Sequence, residues 1–248
     1  MSIALRFVIA FILVVQCATL TAQNPRPLVD AVKRGDHAAV KSLLRGTTIV
    51  NEAEPDGTTA LHFAVQANDV ELVRLLIGAR AEVTASNRYG LRPITLAATN
   101  GSEAVLSLLL EAGADPNTVT GAGEPVVMTA ARTGKVDALK RLIAAGADVN
   151  ARERWFGETA LMWAAAENHA GAVRALAEGG AAIDARSRVI DAPVLEFPRS
   201  GGPNSPFPRG GWTALMFAAR QGAVDAARTL AELGANLNLA ALPQTDVP

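Results

Sequence analysis

The stretch DGTTALHFAVQAND, Asp56 to Asp69, decides the fold, because the chain repeats it. YGLRPITLAATNGS from Tyr89, AGEPVVMTAARTGK from Ala122, FGETALMWAAAENH from Phe156 and GGWTALMFAARQGA from Gly210 superimpose on it without internal gaps. The first three copies start 33 residues apart, the next 34 and the last 54, so one residue and then about 21 have been inserted. A sixth, degenerate unit precedes them, PLVDAVKRGDHAAVKSLLRG from Pro27, whose Gly35 falls 33 before Asn68. It keeps the helical pattern and lacks the opening turn. A fixed period of this length is the signature of a solenoid.

Each position of the unit has a physical reading. Gly57, Gly90, Gly123, Gly157 and Gly211 recur in the opening turn, where a residue of positive φ is easiest without a side chain. Thr59, Thr159 and Thr213 then precede an apolar helix, whose first free amides a hydroxyl can satisfy. Ala64, Ala97, Ala130, Ala164 and Ala218 share one slot, which implies a close approach of neighbouring backbones. The helix should stop at Asn68, Gly101, Gly134, Asn168 and Gly222, residue types that tolerate a left-handed turn. A second helix follows with paired apolar residues, as in Leu72 with Val73 and Leu75 with Leu76. Two short helices cannot bury both faces alone, and side-by-side stacking gives one continuous core.

TALHFA and TALMWAA, with the closing AGADPN, AGADVN and LGANLN, resemble the ankyrin repeat, and the resemblance covers residues 27–243 apart from the insertion. It implies an all-α solenoid of about six helix-pair repeats with short β-hairpins or turns between them, protein binding along the concave side, no enzyme activity and no cofactor. There are departures. Arg80 stands where Gly113, Gly146, Gly180 and Gly234 end their second helices, so either Gly78 shortens that helix or Arg80 turns left-handed. Thr95, Met128, Met162 and Met216 replace the family's helix histidine, kept only as His62, so most histidine-mediated bonds between repeats should be missing.

Composition agrees with an ordered helical chain. Of the 248 residues 50% are apolar, 19% charged and only 4% aromatic, and the formal charge of -1 gives no general pull toward nucleic acid or anionic lipid. MSIALRFVIAFILVVQCATLTAQ has a positive Arg6, an apolar run from Phe7 and smaller residues after it, the layout of a signal peptide with cleavage after Ala22. A retained membrane anchor is the alternative, although the apolar run ends near Leu20, short of the roughly 20 residues a span requires. Cys17 raises lipid attachment, against which Gln16 stands where a small residue is needed. Cleavage after Ala22 would remove the single cysteine and with it disulfide and thiolate chemistry. An exported, periplasmic or secreted protein is the expectation, with no membrane insertion after cleavage.

Chemistry-bearing motifs are scarce. His37, His62 and His169 have no ligand spacing, the Gly-rich GAGE and SGGP lack a phosphate loop's Lys-Ser/Thr ending, and no nucleophile elbow occurs. Lys41, Arg74, Lys140, Arg174 and Arg228 form a basic stripe on the second helices that reads as a solvated face, with Glu71 and Asp137 nearby. Phe63, Trp163 and Phe217 share a slot on the first helix and read as core.

Partner contact is expected instead at the polar slots of the inner helices and at the hairpin tips. The former are Lys33, Arg34, Gln66, Thr99, Asn100, Arg132, Thr133, Glu167, Arg220 and Gln221. At or beside the tips lie Tyr89, Trp155, Phe156 and Trp212, where projection toward a partner competes with stacking of one tip on the next. The insertion at 189–209 carries five prolines and a Gly-Gly pair, which exclude helix, and offers Arg199 as a contact. The organisation is thus a leader at 1–22, a degenerate repeat at 23–55, repeats at 56–88, 89–121, 122–155 and 156–188, the insertion, a repeat at 210–243 and a tail at 244–248. The expected function is a non-catalytic protein-binding adaptor, with a spacer or assembly part of a larger envelope protein as the alternative. The last repeat has the composition of an internal one, so its outer face should be left apolar.

Overall fold

The computed structural model describes residues 26–46, 50–189 and 210–240. The leader at 1–22, most of the insertion with Arg199, and the tail lie outside them. The described chain is all-helical, with twelve helices in six antiparallel pairs. The inner helices are α1 (Pro27–Lys33), α3 (Ala60–Gln66), α5 (Pro93–Asn100), α7 (Val126–Arg132), α9 (Ala160–Ala166) and α11 (Ala214–Gln221). Their partners are α2 (His37–Leu44), α4 (Val70–Gly78), α6 (Glu103–Glu111), α8 (Val136–Ala144), α10 (Ala170–Glu178) and α12 (Val224–Glu232). Inner helices pack on inner helices and outer on outer, repeat after repeat. No described strand exceeds an isolated bridge, at Ala53 with Thr59, Val119 with Pro125 and Arg152 with Thr159.

Asn68, Gly101, Gly134, Asn168 and Gly222 all turn left-handed between the two helices of a pair, with φ from 54° to 70°. The recurrent alanines Ala64, Ala97, Ala130, Ala164 and Ala218 are fully buried between neighbouring helices. Arg80 resolves the open point about its repeat. Its φ is 66°, and α4 is nine residues long, as are α6, α8, α10 and α12 that precede a glycine. The helix keeps its length and the arginine carries the left-handed turn.

The degenerate first repeat is completed from downstream. α1 starts after Arg26 with no side-chain cap, and the Glu52 carboxylate accepts from the Leu28 and Val29 amides at 3.0 and 3.1 Å. At the far end the pattern changes. Thr95, Met128 and Met162 are buried, but Met216 in the same slot is half-exposed; Ala98, Ala131 and Ala165 are buried, but Ala219 is exposed. Among the described residues nothing covers this last face as each repeat covers its predecessor.

One backbone hydrogen bond defines every hairpin turn: Glu54 to Thr58, Asn87 to Leu91, Thr120 to Glu124, Glu153 to Glu158 and Ser187 to Trp212, each N–H to O at 2.9 to 3.0 Å. The partners are four positions apart in the first three, five in the fourth and 25 in the last. The single extra residue and the long insertion therefore both lie inside a turn, and the two chain ends of the insertion close on the same bond as an ordinary hairpin. Gly211 N–H donates to the Ser187 carbonyl and the Trp212 amide to the Ser187 hydroxyl, which completes the closure. Gly210 has φ 131°, and a Cβ there would lie 1.9 Å from the Arg188 carbonyl oxygen, so no other residue fits this crossing.

Candidate protein-interaction surface

The hairpin tips form one edge of the solenoid. Tyr89, Trp155 and Phe156 are exposed there by 64%, 62% and 51%, unusually large apolar exposure beside an otherwise close-packed core. Trp155 does both things its position allows. Its indole N–H donates to the Ala122 carbonyl of the neighbouring tip at 3.2 Å, while most of its surface remains free. Arg88 lies over Tyr89 and Arg154 over Trp155, each 5.5 Å from the ring centre. The tips also touch through backbone, since a Cβ on Gly90 would sit 2.7 Å from Gly121 Cα.

Glu153 builds the Trp155–Phe156 tip. It is almost buried, and its carboxylate accepts from the Trp155, Phe156 and Glu158 amides at 2.6, 2.5 and 3.1 Å. Glu158 is half-buried, and burial followed by the Glu153 charge pushes its carboxyl above the usual range. The Trp163 indole opposes that rise but is not aligned for a hydrogen bond.

Along the inner helices the structure corrects the reading of Phe63, Trp163 and Phe217 as core. All three are half-buried and pack against the core without being enclosed by it. Cations lie over the first two rings. Lys33 lies 4.4 Å from the centre of Phe63 in the next repeat, and Arg132 5.5 Å from that of Trp163 in the next repeat. In the last repeat Arg220 sits 4.9 Å over Trp212, which packs on Phe217 at 5.5 Å. Carboxylates join the first two pairs: Glu54 at 2.5 Å from Lys33 and Glu124 at 3.8 Å from Arg132.

The remaining expected contact residues divide. Arg34, Gln66, Glu167 and Gln221 are exposed on the inner-helix ends. Thr99 and Thr133 are turned to their own helices, donating to the Thr95 and Ala130 carbonyls at 2.9 and 3.1 Å. Asn100 reaches back one repeat to the Val65 carbonyl at 2.8 Å, closing the end of α3. Of the three, Asn100 joins neighbouring repeats.

His62 bonds to the Thr59 hydroxyl at 2.8 Å and to the Leu91 carbonyl of the next repeat at 3.1 Å. Burial lowers its pKa, and the Leu91 carbonyl opposes that shift. Where Met162 replaces it, only the Thr159 amide to Sδ contact at 3.4 Å remains, and the buried Thr159 hydroxyl has no partner. His169 also joins repeats, through the Arg132 carbonyl at 3.0 Å. On the outer face Lys41, Arg174 and Arg228 pair with Glu71, Glu232 and Asp225, as expected of a solvated stripe.

Residue-by-residue reading missed the closing asparagines. Asn51, Asn117 and Asn150 each accept from an amide of the following repeat at 2.8 Å, to Glu82, Asp148 and Ala182. Their recurrence at one slot was the available signal.

No group of His, Cys, Asp or Glu among the described residues could hold a metal ion, and no described helix is long and apolar enough to cross a membrane. The family model "Ankyrin repeats (3 copies)" matches residues 28–120 and 127–241. The Notch-regulated ankyrin repeat-containing protein of Homo sapiens is 35% identical over 85 residues, 33% of this chain and 75% of that one. Its A form in Danio rerio is 37% identical over 82 residues, 32% and 73% of the respective chains. The crystal structure of the human ASB11 ankyrin repeat domain superimposes with a TM-score of 0.69 at 25% identity, covering 87% of this chain and 86% of that one. EF0377, an ankyrin repeat protein, gives 0.69 at 27% identity, with 83% and 96% covered.

Proposed function

Because the chain belongs to the ankyrin-repeat family, whose repeats are generally protein–protein interaction modules, we propose that it is an exported, non-catalytic adaptor that grips a protein partner. Contact runs along the hairpin tips and the concave inner-helix face. The observation that carries this reading is the row of exposed Tyr89, Trp155 and Phe156 held on rigid tips beside arginines. Large aromatics and arginine are the residues that dominate protein interfaces, and a preformed edge loses little entropy on binding. Export rests on the Arg6 and apolar-run layout, with a mature chain that begins after Ala22.

The full chain expressed in its source should therefore retain one stoichiometric partner on affinity capture, and Trp155→Ala with Phe156→Ala should weaken that complex at least roughly ten-fold while the helical circular dichroism is unchanged. An unaltered affinity would refute the tip edge as the contact. Intact mass of the native protein should lack the first 22 residues, and a mass that includes Met1 refutes cleavage. The second reading, a spacer or assembly part, is favoured by the half-exposed Met216 and exposed Ala219 on the last repeat. Self-association without any retained partner would select it.

A further inference from the structure

Three arginines share one slot of the hairpin edge. A Cβ on Gly57 would stand 3.8 Å from the Arg88 amide nitrogen, one on Gly123 2.8 Å from Arg154 Cβ and one on Gly157 3.3 Å from Arg188 Cβ, so each arginine lies against the turn glycine of the repeat before it. Gly121 stands against Gly90 in the repeat between Arg88 and Arg154. All three arginines are exposed. The Arg88 and Arg154 guanidiniums lie over Tyr89 and Trp155, and Arg188 donates only from Nη1, to the Arg154 and Trp155 carbonyls at 3.2 and 3.4 Å. None of the three makes an ion pair among the described residues. The carboxylates of these hairpins are engaged elsewhere. Glu54 holds Lys33, Glu124 accepts from the Thr129 hydroxyl at 2.8 Å, Glu153 accepts from three tip amides and Glu158 is half-buried. Asp56 accepts from the Thr58 amide at 2.9 Å, and Arg88 favours its charge without pairing with it. The edge therefore shows positive charge beside bare aromatic rings, on a chain whose net charge is -1.

We propose that this edge recognises an extended acidic segment of a partner protein, with carboxylates on Arg88, Arg154 and Arg188 and apolar side chains between them on Trp155 and Phe156. Neighbouring repeats stack at the spacing of packed helices, about 8–10 Å. Three residues of extended chain, at about 3.3 Å each, span the same distance, so an acid at every third position meets the slot in register. An exposed ion pair alone changes affinity only a few-fold. Selectivity comes from several arginines acting together, each already laid on a ring or held on a carbonyl, so that its planar fork loses little freedom when it takes a carboxylate. A nucleic-acid strand fits less well, because the net charge of -1 gives a phosphate backbone no wider positive field to enter. The inference rests on the protein-binding reading and adds the chemistry of its contact.

The test uses the full chain, isotope-labelled for NMR, and two end-blocked peptides, one of four Glu-Leu-Ser units and the other of four Gln-Leu-Ser units. The glutamate peptide should bind saturably, shift the Trp155 indole signal and bind roughly ten-fold more tightly than the glutamine peptide. Arg88→Gln with Arg154→Gln should erase most of that preference, and either change alone only a few-fold of it. Both residues are exposed, so the fold is not at risk, and the helical circular dichroism checks this. The same charge change on the outer face, Arg74→Gln with Lys140→Gln, should leave the preference intact. No saturable binding, equal affinity for the two peptides, an equal loss from the outer-face pair, or tighter binding of an oligothymidylate of the same length overturns the proposal. So does a preference that emerges only after Asp191→Asn with Glu196→Gln, which would mean that the chain supplies its own acid. A captured partner that is weakened by Trp155→Ala with Phe156→Ala but ignores Arg88→Gln with Arg154→Gln overturns the acidic chemistry and leaves the hairpin edge as the contact.

Discussion

His37 Nε2 lies 2.7 Å from Asp69 Oδ2, so the start of the first outer helix is tied to the start of the second across the repeat boundary. The other ring nitrogen is 3.1 Å from Glu71, which Lys41 also holds at 2.7 Å. The hydrogen bond to Asp69 is the main cause that raises the His37 pKa above 6.5, with Glu71 adding to it. Burial pushes Asp69 up, but the Leu72 amide and His37 outweigh it and its pKa falls; Lys41 foremost lowers Glu71.

The sign of the pH dependence follows. A raised histidine pKa contributes stability that is fully present below 6.5 and lost as pH rises through the higher folded value, while the lowered carboxylates lose theirs only as pH falls through their own folded values. The first repeat should be held best in mildly acidic solution. Amide exchange in α2, corrected for its intrinsic rate, should speed up between about pH 6 and pH 8.5 relative to the central helices, and His37→Gln should flatten the change. A His37 pKa of 6.5 or lower by NMR titration would contradict this.

Glu153 accepts from three tip amides. Glu153→Ala should destabilise the protein by about 1–3 kcal/mol and raise exchange at the Trp155, Phe156 and Glu158 amides first. Glu153→Gln removes the charge that, after burial, raises the Glu158 pKa, so that pKa should move down toward the ordinary value. An unmoved Glu158 titration would leave burial as its whole cause.

The unpartnered Thr159 hydroxyl marks a place where the protein can be improved. Met162→His restores the arrangement seen at Thr59 and His62, and should raise stability by about 0.5–1.5 kcal/mol, read as the denaturant midpoint. The reciprocal His62→Met should lower it. Equal midpoints for both variants would mean that methionine packing fully offsets the lost bonds.

Arg80 holds a left-handed φ of 66° that glycine holds in four other repeats. Arg80→Gly should stabilise by about 1 kcal/mol, since the relief of Cβ strain exceeds glycine's greater entropy loss. Arg80→Val should cost more than the wild-type residue does, because a β-branched side chain is more restricted there. Thermal denaturation of the three proteins orders them.

Most of the architecture was legible because each repeat solves the same problem with the same residue. The glycine and asparagine turns, the buried alanines and the threonine caps at Thr59 and Thr213 are local requirements that leave marks at fixed spacing, whereas Thr159 carries the mark without making the cap bond. The slot of Phe63, Trp163 and Phe217 was read as core and is half-buried against it, because helical periodicity says which side a residue faces but not how completely its neighbours enclose it. Contacts such as Lys33 with Phe63 or Asn100 with Val65 join residues some thirty positions apart in sequence and arise only when repeats are set side by side. The half-exposed Met216 and exposed Ala219, among the described residues, agree with a last repeat that has the composition of an internal one.

The bond between Ser187 and Trp212 makes the last hairpin turn a point where sequence length is uncoupled from folding. Its two ends close on the same bond as turns with a four-residue separation although they lie 25 positions apart. Closing a loop costs free energy that grows only with the logarithm of its length, about 0.6 kcal/mol for each doubling. Segments can therefore be lengthened, shortened or exchanged at this doorway over evolutionary time, and each would be delivered to the same edge as Tyr89 and Trp155. New recognition could be acquired there without renegotiating the packing of any helix.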